Sequence, residues 1–350
     1  MKNYQVLKAA YLDLKATEPK LRSLQIAKHL EISEAELLTL QLSENVTLLE
    51  GDWKELLKDL KSVGYVMALT RNEHCVHERK GVYNNIEFYG KGDVGVAVNP
   101  DIDLRFFMTQ WEFAFAVTLP RGNTQIHSFQ FFNAKGEAVH KIWTTPKSDL
   151  TAYFQLVEKY KAEEQTHDIE IDRTPIEAKE ITADAEIDVK GFQNAWESLT
   201  DTHHFFKMLK DFKVARTQAF RLAPKGFTQQ VPNDTVVAVL EQAAEQEVPI
   251  MCFLHSKGCV QIHTGKVKSL QFYGSWYNVV DPKFNLHLNM ESIAEAWIVK
   301  KPTDDGIVTS LELFDANGDL ITYFFGKRKP GIPELESWRT IIENVEIINA

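Results

Sequence analysis

The sequence predicts an α+β protein built as a tandem duplication, two similar halves each with flanking helices and a large antiparallel β-sheet. Three observations predict it: a stretch that is written twice, the order of periodic segments within a copy, and the turn residues that punctuate the strands. Residues 75–90 read CVHERKGVYNNIEFYG and residues 259–274 read CVQIHTGKVKSLQFYG, in step without a gap at an offset of 184. Further on the offset is 182. NPDIDLR (99–105) answers DPKFNLH (281–287), Val117 and Pro120 answer Val299 and Pro302, and SFQFFNAKGE (128–137) answers SLELFDANGD (310–319). Agreement sustained over about sixty residues is the signature of a duplicated domain.

Taken in order, the apolar spacing predicts helices over 4–16, 23–30, 33–42 and 52–63. SEAELL (33–38) opens the third with Ser33 and Glu36 in capping-box positions. From 65 onward come GYVMALT, NNIEFYG, VGVAV, FAFAVTL, IHSFQFF and VHKIWTT, short apolar or alternating runs separated by Gly, Pro, Asn and Asp. Such runs read as strands, with AKGE and ANGD as hairpin turns. Helices followed by an antiparallel meander predict α+β rather than alternating α/β. The boundaries read as an N-terminal repeat over 1–162, an acidic linker over 163–190 and a C-terminal repeat over 191–350. The stretch 163–188 is dense in Asp and Glu and has no glycine, so it reads as solvated, although the alternation in DIEID also admits an edge strand.

Composition narrows the function. The chain of 350 residues carries a formal net charge of −10, which argues against bulk nucleic-acid or anionic-membrane binding. No apolar run is long enough to span a membrane, and the first twenty residues lack a signal-peptide core. Three cysteines, Cys75, Cys252 and Cys259, form no CxxC and no paired framework, so a cytoplasmic, reducing setting is expected.

Several stretches compete as sites. GKGDVG (90–95) matches GxGxxG but leads into a strand-like run, so a turn is expected rather than a dinucleotide loop. EHCVHE (73–78) crowds His74, Cys75, His77 and Glu78, yet strand alternation sends His74 and His77 to opposite faces, which leaves only His77 as a lone ligand candidate. In FQNAWESLTDTHHFFKMLKDF (192–212), Trp196, Leu199, His203 and Phe206 fall on one stripe of a continuous helix. His203 then faces the apolar side, and His204 lies about 100° further round. A break at Thr200 or Asp201 would keep His203 in step only with Phe206 and Lys210. A lone histidine on an apolar face is either a satisfied core residue or the axial ligand of a large hydrophobic cofactor. In DIDLRFF (101–107), Arg105 alternates with Leu104 and Phe106 and corresponds to His287 in the second half. It is either a surface arginine or a site that has diverged. Arg216, Arg221, Lys300, Lys301, Lys327 and Arg328 make the second half cationic enough to hold an acidic small molecule.

TRNEHCVHERKG (70–81), NPDIDLRFFMTQW (99–111), AWESLTDTHHFFKMLK (195–210), GCVQIHTG (258–265) and EAWIVKKPTDDGIVTSLELF (295–314) are long and ordered. Over nearly its whole length the chain resembles the HemS/ChuS/PhuS family of cytoplasmic haemin-degrading and haem-trafficking proteins of bacterial haem uptake. The resemblance implies haem (iron protoporphyrin IX) in a cleft on the C-terminal half, with His203 as proximal iron ligand. It matches Arg105 to an arginine that reaches the distal side from the N-terminal half. Arg216 and Lys301 match positions where cations meet propionates, and His77 matches a second, N-terminal haem ligand of part of the family. Relatives often carry Gln and Tyr where this chain has Tyr323 and Phe325, a departure that bears on the distal hydrogen bonds. His204 falls at a variable place.

The function so implied is haem binding after uptake, with oxygenase-like ring opening to a biliverdin-like product and release of iron. Arg105 would be the catalytic cation, the haem importer a partner, and an external donor the source of electrons. The rival is a haem carrier that uses the same His203 and passes its cargo intact to a separate oxygenase. A homodimer stays open in either case.

Overall fold

The structure is a computed structural model that describes residues 4–175, 181–329 and 331–345. Two compact units emerge: Met1–Arg71 with Glu78–Pro175 and His255–Gln261, and Asn72–His77 with Ile176–Leu254 and Ile262–Ala350.

The N-terminal half of the chain runs α1 (Tyr4–Thr17), α2 (Ser23–Leu30), α3 (Glu34–Thr39), β1 (Val46–Leu49), α4 (Trp53–Asp59), β2 (Gly64–Arg71), β3 (Cys75–Val82), β4 (Ile86–Tyr89), β5 (Val94–Val98), β6 (Asp103–Phe107), β7 (Phe113–Arg121), β8 (Thr124–Phe132), β9 (Ala138–Ser148) and α5 (Leu150–Tyr160). Helices first and strands after is the order expected. The first unit holds an antiparallel run β1-β7-β8-β9-β2 and a second run β6-β5-β4. Its core lies between α4, α5 and the strands, around Leu56, Leu57, Phe106, Trp111, Phe129 and Phe131.

The C-terminal half repeats the plan: α6 (Val189–Glu197), α7 (His204–Asp211), α8 (Arg216–Arg221), β10 (Thr228–Val231), α9 (Thr235–Glu245), β11 (Ile250–His255), β12 (Cys259–Gly265), β13 (Leu270–Tyr273), β14 (Trp276–Val280), β15 (Phe284–Asn289), β16 (Glu295–Thr303), β17 (Gly306–Phe314), β18 (Leu320–Gly326) and α10 (Glu336–Glu343). The second unit holds the equivalent runs β10-β16-β17-β18-β11 and β15-β14-β13. One core gathers α9, α10 and the strands, and another gathers α6, α7 and α8 on Trp297, Val299 and Phe314.

Local chemistry explains the element ends. Ser33 Oγ accepts from the Glu36 N–H at 3.2 Å while Glu36 accepts from the Ser33 N–H at 2.8 Å, the reciprocal cap expected of SEAELL. Gly90 and Gly92 have φ of +63° and +85°, and the Gly92 N–H donates to Tyr89 at 2.9 Å. GKGDVG is therefore the turn of the β4–β5 hairpin. In AKGE, Gly136 has φ +71°, and a Cβ there would lie 2.3 Å from Ser33 Oγ, so this turn must be glycine for conformation and for space. The acidic stretch lies partly against the first unit, where Ile169 and Ile171 pack on its core and the Asp172 N–H donates to Ala134 at 2.8 Å. Residues 176–180 of that stretch lie outside the described residues. No helix among the described residues is long and apolar enough to cross a membrane.

The helix expected over 192–212 is two helices, Val189–Glu197 and His204–Asp211. Ser198, Thr200, Asp201 and Thr202 cluster at the break, where short polar side chains compete for backbone hydrogen bonds.

At the other end of the second unit, β17 extends past β18, and side chains take the place of a missing strand. Both Glu334 carboxylate oxygens accept from the Thr309 N–H, at 3.0 and 3.1 Å. Trp338 Nε1 donates to the Thr309 carbonyl at 3.0 Å, and Arg339 donates to the Ile307 carbonyl at 3.0 Å. Burial pushes the Glu334 carboxyl up to about 7, against the pull of that N–H and of Arg339. A carboxyl raised on folding favours the fold when protonated. Its contribution is complete below the ordinary value of 4.5 and is lost as pH rises through about 7. Denaturant unfolding should therefore show wild-type stability falling between pH 5 and pH 8 relative to Glu334→Gln, by about 2–3 kcal/mol. Parallel pH profiles for the two proteins would contradict this.

Candidate functional site

His203 sits at the junction where the break delivers the chain into α7. Asp201 Oδ1 accepts from the His203 backbone N–H at 2.8 Å and from His203 Nδ1 at 2.6 Å. One carboxylate oxygen thus fixes both the start of the helix and the ring. The His203 N–H holds the Asp201 carboxyl below its ordinary value. With Nδ1 committed as donor, Nε2 keeps its lone pair, and it makes no hydrogen bond among the described residues. A carboxylate-held imidazole of this kind has the geometry to ligate a metal.

The face on which His203 lies is not the one expected from a continuous helix. Phe205, Met208 and Leu209 are the buried residues of α7, whereas the His203 side chain is 89% exposed and Phe206 is 73% exposed. Breaking the helix resets its phase, so His203 and Phe206 share a face that points away from the core. His203 is not a satisfied core histidine. His204, one step round the helix, is also exposed and makes no side-chain hydrogen bond among the described residues.

Behind α7 lies a buried ion cluster. Glu312 on β17 is fully buried; its Oε2 accepts from Arg216 Nε at 2.8 Å, and its Oε1 accepts from Lys301 Nζ at 2.5 Å and Ser310 Oγ at 2.8 Å. Burial works against the Glu312 charge, but Arg216 and Lys301 outweigh it and bring the carboxyl down to about 2. The same burial brings the Lys301 ammonium down to about 8, with Glu312 opposing. Lys301 lies 4.7 Å and Arg216 5.7 Å from the Phe205 ring centre, so both cations sit beneath the first turn of α7. Tyr323 carries Arg216 over its ring at 5.7 Å and stacks on Phe253 at 5.0 Å, while Phe325 lies 5.9 Å from Lys301. Tyr323 and Phe325 thus support the cations from β18.

His203, Arg216 and Lys301 therefore fall together in the second unit. Arg105 belongs to the first. It lies on β6, held by Asp103 and by the Leu104 carbonyl, opposite Val96 of β5. His77 is fully buried, its ring 5.0 Å from Phe284, which also stacks on His263 at 3.7 Å. That environment suits a core residue more than a ligand to an incoming group.

Sequence reading missed two members. Asp201 was legible only as a point where the helix could break, although Asp-x-His spacing lets one carboxylate reach both the backbone and the ring. Glu312 had a signal: in SLELF it occupies the inward position of an apolar strand, where a charge must find partners.

Comparison with known proteins bears on this arrangement. The family model described as the haemin-degrading HemS/ChuX domain matches the chain twice, over residues 31–160 and 213–345. The chain is 38% identical over 330 residues to the hemin transport protein HemS of Yersinia enterocolitica, covering 94% of each. Among solved structures it is similar to holo-PhuS, a heme-binding protein from Pseudomonas aeruginosa, with a TM-score of 0.96 and 42% identity over 99% of this chain and 100% of that one. It is also similar to the heme-degrading enzyme ChuS of Escherichia coli O157:H7, with a TM-score of 0.90 and 34% identity over 98% and 99%.

The ion cluster makes its own prediction. Glu312→Gln should destabilise the second unit by about 3–5 kcal/mol, because the buried Lys301 and the half-buried Arg216 lose the carboxylate they share. Chemical denaturation followed by tryptophan fluorescence checks it, and a loss below about 1 kcal/mol would show that the cluster is not coupled to the fold.

Proposed function

We propose, from the premise that the chain belongs to the haemin-degrading HemS/ChuX domain family, that it binds haem through His203 and opens the ring oxidatively, releasing iron. The observation that carries this reading is the Asp201–His203 pair: an exposed imidazole with its Nδ1 held and its Nε2 lone pair facing outward.

The residues fit haem as substrate. His203 Nε2 would donate to the iron, and Asp201 keeps the ring in the tautomer and orientation that this requires. Phe206 offers an exposed apolar face one turn along, suited to a flat macrocycle. Arg216 and Lys301 together exceed the single charge of Glu312, so a net positive charge remains behind α7, and the part-exposed Arg216 would be the cation to meet acidic substituents. Arg105 would serve as the catalytic cation, a fixed donor for negative charge that develops on oxygen. Bound haem supplies the redox chemistry, and the protein supplies ligation, orientation and charge. A donor outside the chain would supply the electrons, and a haem importer would supply the cargo, in the bacterial cytoplasm. The buried setting of His77 favours a structural role for it.

A second reading, a haem carrier using the same His203, draws support from the name of the Yersinia enterocolitica relative, a transport protein. Turnover separates the two. The full chain with one equivalent of haem, an electron donor and air, with catalase to remove free peroxide, should lose its Soret band, gain a biliverdin-type band and release iron. A Soret band that persists unchanged under these conditions would assign the carrier role instead. Arg105→Ala should retain haem but slow ring opening by about 10²–10³-fold, and an equal rate would remove its catalytic assignment.

A further inference from the structure

The first unit contains a cavity of about 540 Å³ that the haem reading leaves without a role, bounded by β1, β7, β8 and α5. The duplicated halves differ at a residue beside it. In the second unit the Lys300 N–H donates to the Phe227 carbonyl, and in the first the Thr118 N–H donates to the Asn45 carbonyl in the same way. At that shared position the second unit places the Phe227 ring, which packs against Trp196. The first unit places Asn45, whose Oδ1 atom is buried beside the cavity without a hydrogen bond.

The walls have a distinctive chemistry. Ser43, Thr47, Gln125 and Lys161 line the cavity, and none of their side chains makes a hydrogen bond among the described residues. Glu44, the one acidic residue of the lining, is engaged by Lys8 at 2.8 Å, so the Lys161 charge is not balanced from within the cavity. Phe154 closes one side. His127, hydrogen-bonded through Nδ1 to Thr118 Oγ1 at 2.9 Å, holds the Phe154 ring edge-on at 5.0 Å, and Phe154 stays 47% exposed. Hydroxyls and amides, a flat aromatic face and one unbalanced cation are together the recognition set for a hydroxylated ring bearing an anionic group. A buried acceptor without a partner rewards a ligand O–H or N–H that reaches it.

We propose that this cavity binds a sugar phosphate, free or as part of a nucleotide. The hydroxyls meet Asn45 and its polar neighbours, the ring lies on Phe154, and the phosphate pairs with Lys161. The site lies wholly within the first unit and does not depend on the haem reading.

Calorimetric titration of the full chain with ribose 5-phosphate, adenosine monophosphate and inorganic phosphate tests this. One saturable site per chain for the sugar phosphates is expected, with no comparable binding of inorganic phosphate. Tighter binding of adenosine monophosphate assigns a nucleotide, and equal affinities assign the free sugar phosphate. Asn45→Phe, which installs the residue of the second unit, should abolish binding, and Lys161→Ala should weaken it about tenfold. Haem titration and melting of each variant serve as fold controls. If Asn45→Phe fails to fold, the exposed substitutions Phe154→Ala and Lys161→Ala decide the matter. Absence of saturable heat, inorganic phosphate binding as well as the sugars, or affinity unmoved by these variants would overturn the proposal. Haem binding would be unaffected by any of these results.

Discussion

The Glu312 carboxylate holds the α7–α8 side of the second unit together, because it is fully buried and can stay there only with its charge answered. Arg216 answers from the first residue of α8 and Lys301 answers from β16, so one carboxylate on β17 fixes a helix and a neighbouring strand at once. Taking such charges out of water costs several kcal/mol per ion, which good geometry and the Ser310 hydrogen bond offset. The cations in turn lie under the Phe205 ring, and Phe205 anchors the first turn of α7. The exposed position of His203 is the far end of this chain of contacts.

The first unit solves the same problem with the charges exchanged. Glu34, 182 residues before Arg216, is a buried carboxylate on α3, and it takes Arg71 together with Lys141, whose ammonium lies 3.0 Å away. Gln130 stands where Glu312 stands in the second unit, and Lys141 where Tyr323 stands. Both clusters place two cations on one carboxylate, so the duplication has kept the electrostatic arrangement while moving each charge to another element. The outer sheet face has diverged as well. The row Glu87–Val96–Arg105 of the first unit corresponds to Gln271–Asn278–His287, where His287 Nδ1 meets Asn278 Oδ1 at 2.6 Å. Duplicated scaffolds with unlike side chains at equivalent places are how one fold comes to carry different sites.

Much of this was legible in the sequence, and what was not had a physical reason. The helices and strands expected in the first half fall within a few residues of their bounds, because period and turn chemistry are local properties, whereas β1 and α5 were not anticipated. Thr200, Asp201 and Thr202 signalled a break in the helix, yet the consequence for His203 was hidden. Once the helix is interrupted its phase is set by packing, and packing chose Phe205 over Phe206 for the core. The cations Arg216 and Lys301 were visible as residue types, whereas their shared partner was not, since Glu312 meets them across strands and a helix far apart in sequence. The cavity beside Asn45 was invisible in the sequence for a related reason: its walls come from segments far apart in the chain, between residues 43 and 165.

The most direct test of the central claim is the absorption spectrum of the full chain with one equivalent of ferric haem, compared with that of His203→Gly before and after addition of imidazole. If Asp201 presents His203 as the iron ligand, the variant loses the ligand-bound Soret position, and free imidazole restores it. A His203→Gly spectrum indistinguishable from that of the wild type, with no response to imidazole, would contradict the assignment.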